Sequence, residues 1–158
     1  MIAGMAATRG TRWLGDQGVA FVAHAYEFRS KGAAYAAEAL AIEPERMAKS
    51  LVVRVDESFV FALVPGSQEL SLRELARAAG GKRAELATQR DAERLTGYQI
   101  GGISPFGSRK ALPVYAVAEW LEHELVALNG GARGCIVELA AADLIRLLEP
   151  TPIQRHAK

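Results

Sequence analysis

The stretch T-G-Y-Q-I-G-G-I-S-P-F-G-S-R-K, residues 96–110, organises the reading of the rest of the chain. Four glycines and a proline are gathered there with two aromatic residues, between segments of ordinary helix and strand patterning. Glycine supplies positive φ and lets backbone come close to a ligand, while proline stiffens the adjoining turn. Two readings are open at this point. One is a tight turn joining two elements; the other is a ligand-contacting loop displayed on a rigid scaffold. A phosphate-binding P-loop is excluded, because Ser108 stands where that motif needs lysine after Gly102 and Gly107.

Upstream of this loop, Ser71-Leu72-Arg73-Glu74 reads as a capping box opening a helix that Gly80-Gly81 ends. Thr88 caps a second short helix running to Leu95. Arg73 and Arg77 lie one turn apart on the first helix, and Arg90 and Arg94 on the second. With Lys82 and Arg83 they form the densest basic region, although Glu74, Asp91 and Glu93 are interleaved. A solvated charged face and a phosphate-contact surface both fit that pattern.

Further upstream, residues 50–55 and 58–64 read as a hairpin turning at Asp56-Glu57. The second arm, S-F-V-F-A-L-V, is apolar on both faces and is expected to be a central strand. On the first arm, two-residue alternation puts Lys49, Leu51, Val53 and Val55 on one face. The more apolar face therefore begins with a lysine. That lysine either lifts its ammonium into solvent at the strand end or supplies a cation to a pocket. Before the hairpin come a short helix over 8–17, a strand over 19–28, an alanine-rich helix over 33–41 and a helical turn over 45–48.

Beyond the glycine loop, 113–117 and 123–128 read as strands around a short helical piece at 119–122. Asn129-Gly130-Gly131 is a turn, 134–139 a return strand and 140–148 a closing helix, with 149–158 expected to fray. Strands come mostly in adjacent pairs with short helices between them. The expected fold is α+β, a single domain over 1–158 with a mixed, largely antiparallel sheet.

Composition narrows the function. The chain has 158 residues, half of them hydrophobic and 23% charged, which suits one globular domain. No apolar run reaches the roughly 20 residues of a membrane-spanning helix, and residues 1–10 lack a signal-peptide pattern. Cys135 is the only cysteine, which excludes an internal disulfide and suits a reducing cytoplasm. A net charge of +1 gives no global field for holding nucleic acid. His24, His123 and His156 are scattered and Cys135 has no second thiol, so no metal site and no cofactor is expected. A Cys-His pair can be drawn from Cys135, but a mid-strand thiol reads better as buried and inert. Neither a Ser-His-Asp pattern nor a nucleophile elbow is present.

The pattern G-Y-x-x-G-G-x-S-P-x-G within 96–110 resembles the signature loop of the YbaK/EbsC family of prolyl-tRNA synthetase-associated editing domains. The resemblance extends in order through His24-Ala25-Tyr26-Glu27, Met47-Ala48-Lys49-Ser50-Leu51-Val52-Val53, Gln68 to Leu72, and Glu138-Leu139-Ala140-Ala141-Ala142-Asp143-Leu144. It covers residues 18–148 and is nearest the free-standing cysteinyl-tRNA(Pro) deacylases. It implies a curved sheet flanked by short helices and a trans-editing deacylase acting on mischarged tRNA(Pro), with prolyl-tRNA synthetase as a helper. By the same resemblance, Lys49 is the catalytic cation. Tyr26 and Ser50 shape the pocket, Gly101, Gly102 and Ser104 line its rim, and Asp143 sits nearby. Backbone N–H groups at Gly101 and Gly102 could then hold the developing oxyanion of an ester. The family's attacking group is thought to be the substrate's own thiol. Ser50 departs from the threonine expected in this branch. The rival expectation is a module that binds the aminoacyl end, or a synthetase, without hydrolysis.

Overall fold

The computed structural model describes residues 7–154. Its centre is the hairpin expected from sequence: β2 (Ala48–Val55) and β3 (Ser58–Pro65) pair antiparallel from Ala48↔Pro65 to Val55↔Ser58. Asp56 takes a φ of +54° at the turn, and its carboxylate accepts from the backbone N–H groups of Lys82 and Arg83. Those bonds hold the Asp56 carboxyl below its ordinary pKa. With apolar side chains on both faces, β3 is the middle strand of a five-stranded mixed sheet ordered β4-β2-β3-β5-β8, where β4 is Ala84–Leu86, β5 Val114–Val117 and β8 Thr151–Ile153.

A second, antiparallel sheet is ordered β1-β7-β6, from β1 (Phe21–Ala25), β6 (Leu125–Asn129) and β7 (Cys135–Ala140). The two sheets join at a parallel bridge between Met47 and Ala127. Both residues are completely buried, so the seam between sheets is part of the core. The expectation of mixed, mostly antiparallel pairing holds, and the strands fall into two sheets.

Helices cover the sheets. In α1 (Arg9–Asp16), Thr8 caps the N-terminus and Leu14 is buried; Trp13 stacks on Phe106 with centroids 6.0 Å apart. In α2 (Gly32–Leu40), Ala36 and Ala37 face inward. Ser71 caps α3 (Leu72–Ala78), accepting from Glu74 N, which is one half of the expected capping box. Thr88 caps α4 (Gln89–Thr96), which Gly97 ends in the left-handed region. The closing helix is α5 (Ala141–Leu148), with Leu144 buried.

Four local expectations are corrected. Residues 44–46 form a hydrogen-bonded turn rather than a helical one, and β2 begins at Ala48, so Lys49 lies within a paired strand opposite Val64. The strand β4 sits between α3 and α4, in a stretch whose alternation is too short to declare itself. The segment after α5 does not fray: β8 pairs parallel with β5 and buries Ile153. His123 ends a 3₁₀ turn at Trp120–Glu122 rather than starting β6. The expectations for residues 1–6 and for the tail carrying His156 lie outside the described residues.

Candidate active site

Residues 96–110 form a closed loop. Arg109 N donates to Thr96 O at 2.8 Å and Lys110 N to Leu95 O at 3.0 Å, so both ends are pinned at the C-terminus of α4. Inside it, Phe106 and Ser104 are completely buried. Tyr98 donates its hydroxyl to the Phe106 carbonyl, and Ser104 Oγ accepts from Phe106 N. The loop therefore carries a small core of its own and holds a fixed shape. Its tip is tied to the turn between β6 and β7. Asn129 donates to Gly101 O at 3.1 Å, and Arg133 Nε donates to Ile100 O at 2.9 Å.

Beneath that tip, at the seam of the sheets, lies a cavity of about 370 Å³. The segment following β1 contributes Tyr26 and Phe28; α2 contributes Ala33 and Ala36; β2 contributes Lys49, Ser50 and Leu51. The loop supplies Ile100, Gly101 and Ile103, and the β6–β7 hairpin supplies Asn129, Arg133 and Ile136. The walls are mostly apolar with a few polar groups, the usual make-up of a small-molecule site. Among the described residues, Lys49 has no carboxylate within ion-pair distance. Ser50 Oγ is buried and has no hydrogen-bond partner. Burial, and then the neighbouring Tyr35 and Cys135, raise the pKa of Tyr26, which keeps its phenol protonated.

Of the residues expected from sequence, Lys49, Tyr26, Ser50 and Gly101 meet in this cavity. Gly101 has a φ of +92°, and its N–H has no partner among the described residues, so it can donate to a ligand. Gly102 cannot do the same, because its N–H already donates to Gln99 O at 2.7 Å. Its role is close packing: a Cβ there would lie 2.8 Å from the backbone of Ala132 and Arg133. Ser104 braces the loop from within and does not reach the rim. Asp143, in the first turn of α5, pairs with Arg146 at 3.3 Å and is not in the cavity wall.

The basic residues divide. Arg73 and Arg77 share one surface depression with Lys82 and Arg83, between α3 and β4. Arg90 and Arg94 lie outside it, and Arg94 pairs with Asp91 at 3.1 Å. Sequence reasoning missed Phe28, Asn129 and Arg133. Asn129 was legible as a turn residue, and its Oδ1 does accept from Gly131 N and Ala132 N. The packing of that turn on the glycine loop, across about 30 residues, leaves no mark in either segment's pattern.

Cys135 stands apart from this chemistry. It is buried, outside the cavity wall, and burial raises its thiol pKa, so it is a neutral core residue. Among the described residues no three His, Cys, Asp or Glu cluster in a way that could hold a metal, and no helix is long and apolar enough to cross a membrane.

Residues 30–147 match the family model of the aminoacyl-tRNA editing domain. A protein of Enterococcus faecalis assigned as the Cys-tRNA(Pro)/Cys-tRNA(Cys) deacylase EbsC is 39% identical over 112 residues, 70% of this chain and 68% of that one. The multifunctional Ser/Thr-tRNA deacylase ProXp-y of Escherichia coli is 33% identical over 108 residues, 65% of each chain. A crystal structure described as a trans-editing enzyme for prolyl tRNA synthetase superposes with a TM-score of 0.85 at 26% identity, covering 95% of this chain and 96% of that one.

Proposed function

The chain belongs to the aminoacyl-tRNA editing domain family, and we propose that it is a trans-editing deacylase that cleaves the aminoacyl ester of mischarged tRNA(Pro), cysteinyl-tRNA(Pro) foremost. The observation that carries this reading is Lys49: a cation without an acidic partner in an otherwise largely apolar wall, which it shares with Gly101, whose N–H has no partner among the described residues. Attack on an ester carbonyl puts negative charge on its oxygen. A fixed N–H donor and an ammonium in a low-dielectric cavity stabilise that charge. The substrate's own thiol sulfur, or a water oxygen, bonds to the carbonyl carbon, the ester C–O bond breaks, and the ribose oxygen leaves with the proton that the thiol or water gives up; on the thiol route water then opens the resulting cyclic thioester to free cysteine. No protein nucleophile is required, in keeping with the position of Cys135 outside the wall.

The tRNA partner follows from the same reading. Arg73, Arg77, Lys82 and Arg83 would contact acceptor-stem phosphates. Their depression adjoins β4, which pairs with Val53 and Val55 of β2, roughly 13–20 Å along the strand from Lys49 at about 3.3 Å per residue. The modest net charge of +1 favours assistance from prolyl-tRNA synthetase in delivering the tRNA.

The decisive experiment charges tRNA(Pro) with cysteine, serine, threonine or alanine and measures released amino acid, with wild type beside Lys49→Ala. Cysteine should be released fastest by wild type. Lys49→Ala should lose at least a hundredfold in kcat/KM, about 2.7 kcal/mol at 1.36 per decade, with its melting temperature little changed. Binding of every species without release would make this a recognition module instead.

A further inference from the structure

Arg133 is held in a way that the fold itself does not require. Its Nε donates to Ile100 O at 2.9 Å, and its guanidinium carbon lies 5.0 Å over the centroid of the Phe28 ring. One edge and one face of the guanidinium are thereby fixed. Among the described residues no carboxylate pairs with it, so the terminal nitrogens have no acidic partner at the cavity rim. Gly101 makes room for the arrangement: a Cβ there would sit 2.8 Å from the Phe28 ring and 3.2 Å from Arg133 Nε. An exposed arginine normally keeps its rotamer freedom. Here a hydrogen bond and a ring restrict it, leaving the planar donor edge that fits two oxygens of a phosphate.

We infer that Arg133 binds the phosphate on the 5′ side of the terminal adenosine of the substrate, which rests on the aminoacyl-tRNA reading above. With the aminoacyl group in the apolar interior and the ester beside Lys49 and Gly101, the first anion encountered outward along the nucleic acid is that phosphate. Lys49 and Arg133 thus divide the work. The interior ammonium serves the ester, and the guanidinium on the rim fixes the register of the chain end. Arg133 is a binding and positioning residue, and the Phe28 ring beneath it sets its plane.

The test compares adenosine with adenosine 5′-monophosphate as ligands, by calorimetry or NMR titration, without any catalytic step. Wild type should bind the monophosphate at least fivefold more tightly than adenosine. Arg133→Ala should erase that preference while binding adenosine as wild type does, and Arg133→Lys, which keeps the charge without the planar fork, should fall between them. On charged tRNA, Arg133→Ala should raise KM and leave kcat near wild type. Equal affinity for the two ligands in wild type, no binding of either, or a preference that survives in Arg133→Ala would overturn the inference. A protein that shows the preference but releases no amino acid would keep the phosphate site and remove the deacylase reading; a deacylase without the preference would do the reverse.

Discussion

Nη1 of Arg46 lies 2.7 Å from Oε2 of Glu138, an ion pair that ties the turn leading into β2 to the middle of β7. The other carboxylate oxygen, Oε1, is 3.1 Å from His24 Nε2 on β1. Both acid and guanidinium are mostly buried, with side chains 17% and 20% exposed. Trp120 donates to the Arg46 carbonyl at 2.8 Å, which locks the same turn from the other side. The cavity sits at the seam that this cluster closes.

Replacing Glu138 by Gln keeps the shape and removes the charge, leaving Arg46 with only the exposed Glu43 as acidic partner. The expected loss is about 1–3 kcal/mol, read as a lower urea midpoint at unchanged m. The sign with pH is fixed. Burial by itself would raise the Glu138 carboxyl, but hydrogen bonds from Arg46 and then His24 outweigh it and hold the pKa below the ordinary 4.5. A carboxyl depressed in the folded state stabilises fully above its unfolded value, and that contribution fades as pH falls through the folded one. The gap between wild type and Glu138→Gln should therefore shrink as pH is lowered from 6 to 3. A gap independent of pH would mean that the carboxylate's charge contributes nothing to the cluster.

The two adjacent glycines should fail differently. Gly102→Ala drives a Cβ into the backbone of Ala132 and Arg133, which has little room to move. A cost in the usual overpacking range of about 1–3 kcal/mol is expected, visible as a lowered melting temperature. Gly101→Ala meets the Phe28 ring instead, a side chain that can swing aside, although its φ of +92° adds strain of roughly 1 kcal/mol or more. Deacylation should fall more than tenfold there, through displaced Phe28 and Arg133, with a smaller thermal shift than in Gly102→Ala. Equal thermal losses with equal activity losses would mean that the loop acts as one rigid unit.

For the basic surface, the depression separates residues that sequence spacing treats alike. Arg73→Ala with Arg77→Ala should weaken tRNA use at sub-saturating concentration. The salt dependence should flatten by about 0.7–0.9 in log–log slope for each phosphate no longer neutralised. Arg90→Ala with Arg94→Ala should do neither, since these lie outside the depression. The reverse result would move the tRNA path to α4.

The hairpin, the central place of β3 and the capped helices were legible because each is written in local pattern: two-residue alternation, a run apolar on both faces, Ser71 and Thr88 at helix starts. Lys49 stood out for the same reason, a charge on an apolar face. The misses share a different cause. β4 and β8 are three residues long, too short for a period, and exist because β2 and β5 offer open edges. Gly102 looked like an oxyanion donor from composition, yet whether an N–H is free depends on Gln99 O, a matter of turn geometry. Arg133 was invisible because its meaning depends on Phe28 and Ile100, each far away in sequence. The motif located the loop; only the fold shows which of its atoms face the cavity.

Ser50 gives the sharpest opposition of stability and function. Its Oγ is buried with no hydrogen-bond partner among the described residues, and leaving such a group unpaired costs about 1–3 kcal/mol. Ser50→Ala removes the hydroxyl at the expense of little packing, so the variant should be more stable by up to about 1 kcal/mol, a rise of roughly 2–4 °C for a chain of this size. If the hydroxyl is kept for the substrate, activity should move the other way. Loss of one neutral hydrogen bond, about 0.5–1.5 kcal/mol, predicts a roughly two- to thirteenfold lower kcat/KM on cysteinyl- or seryl-tRNA(Pro). Alanyl-tRNA(Pro), whose side chain has nothing to bond, should be cleaved by the variant as by wild type. Thermal melts and the three-substrate comparison check both halves together. A variant that is less stable and equally active on all three would show that Ser50 serves the fold, and would leave discrimination to the apolar walls, where a single methylene is worth only about 1–3 kcal/mol.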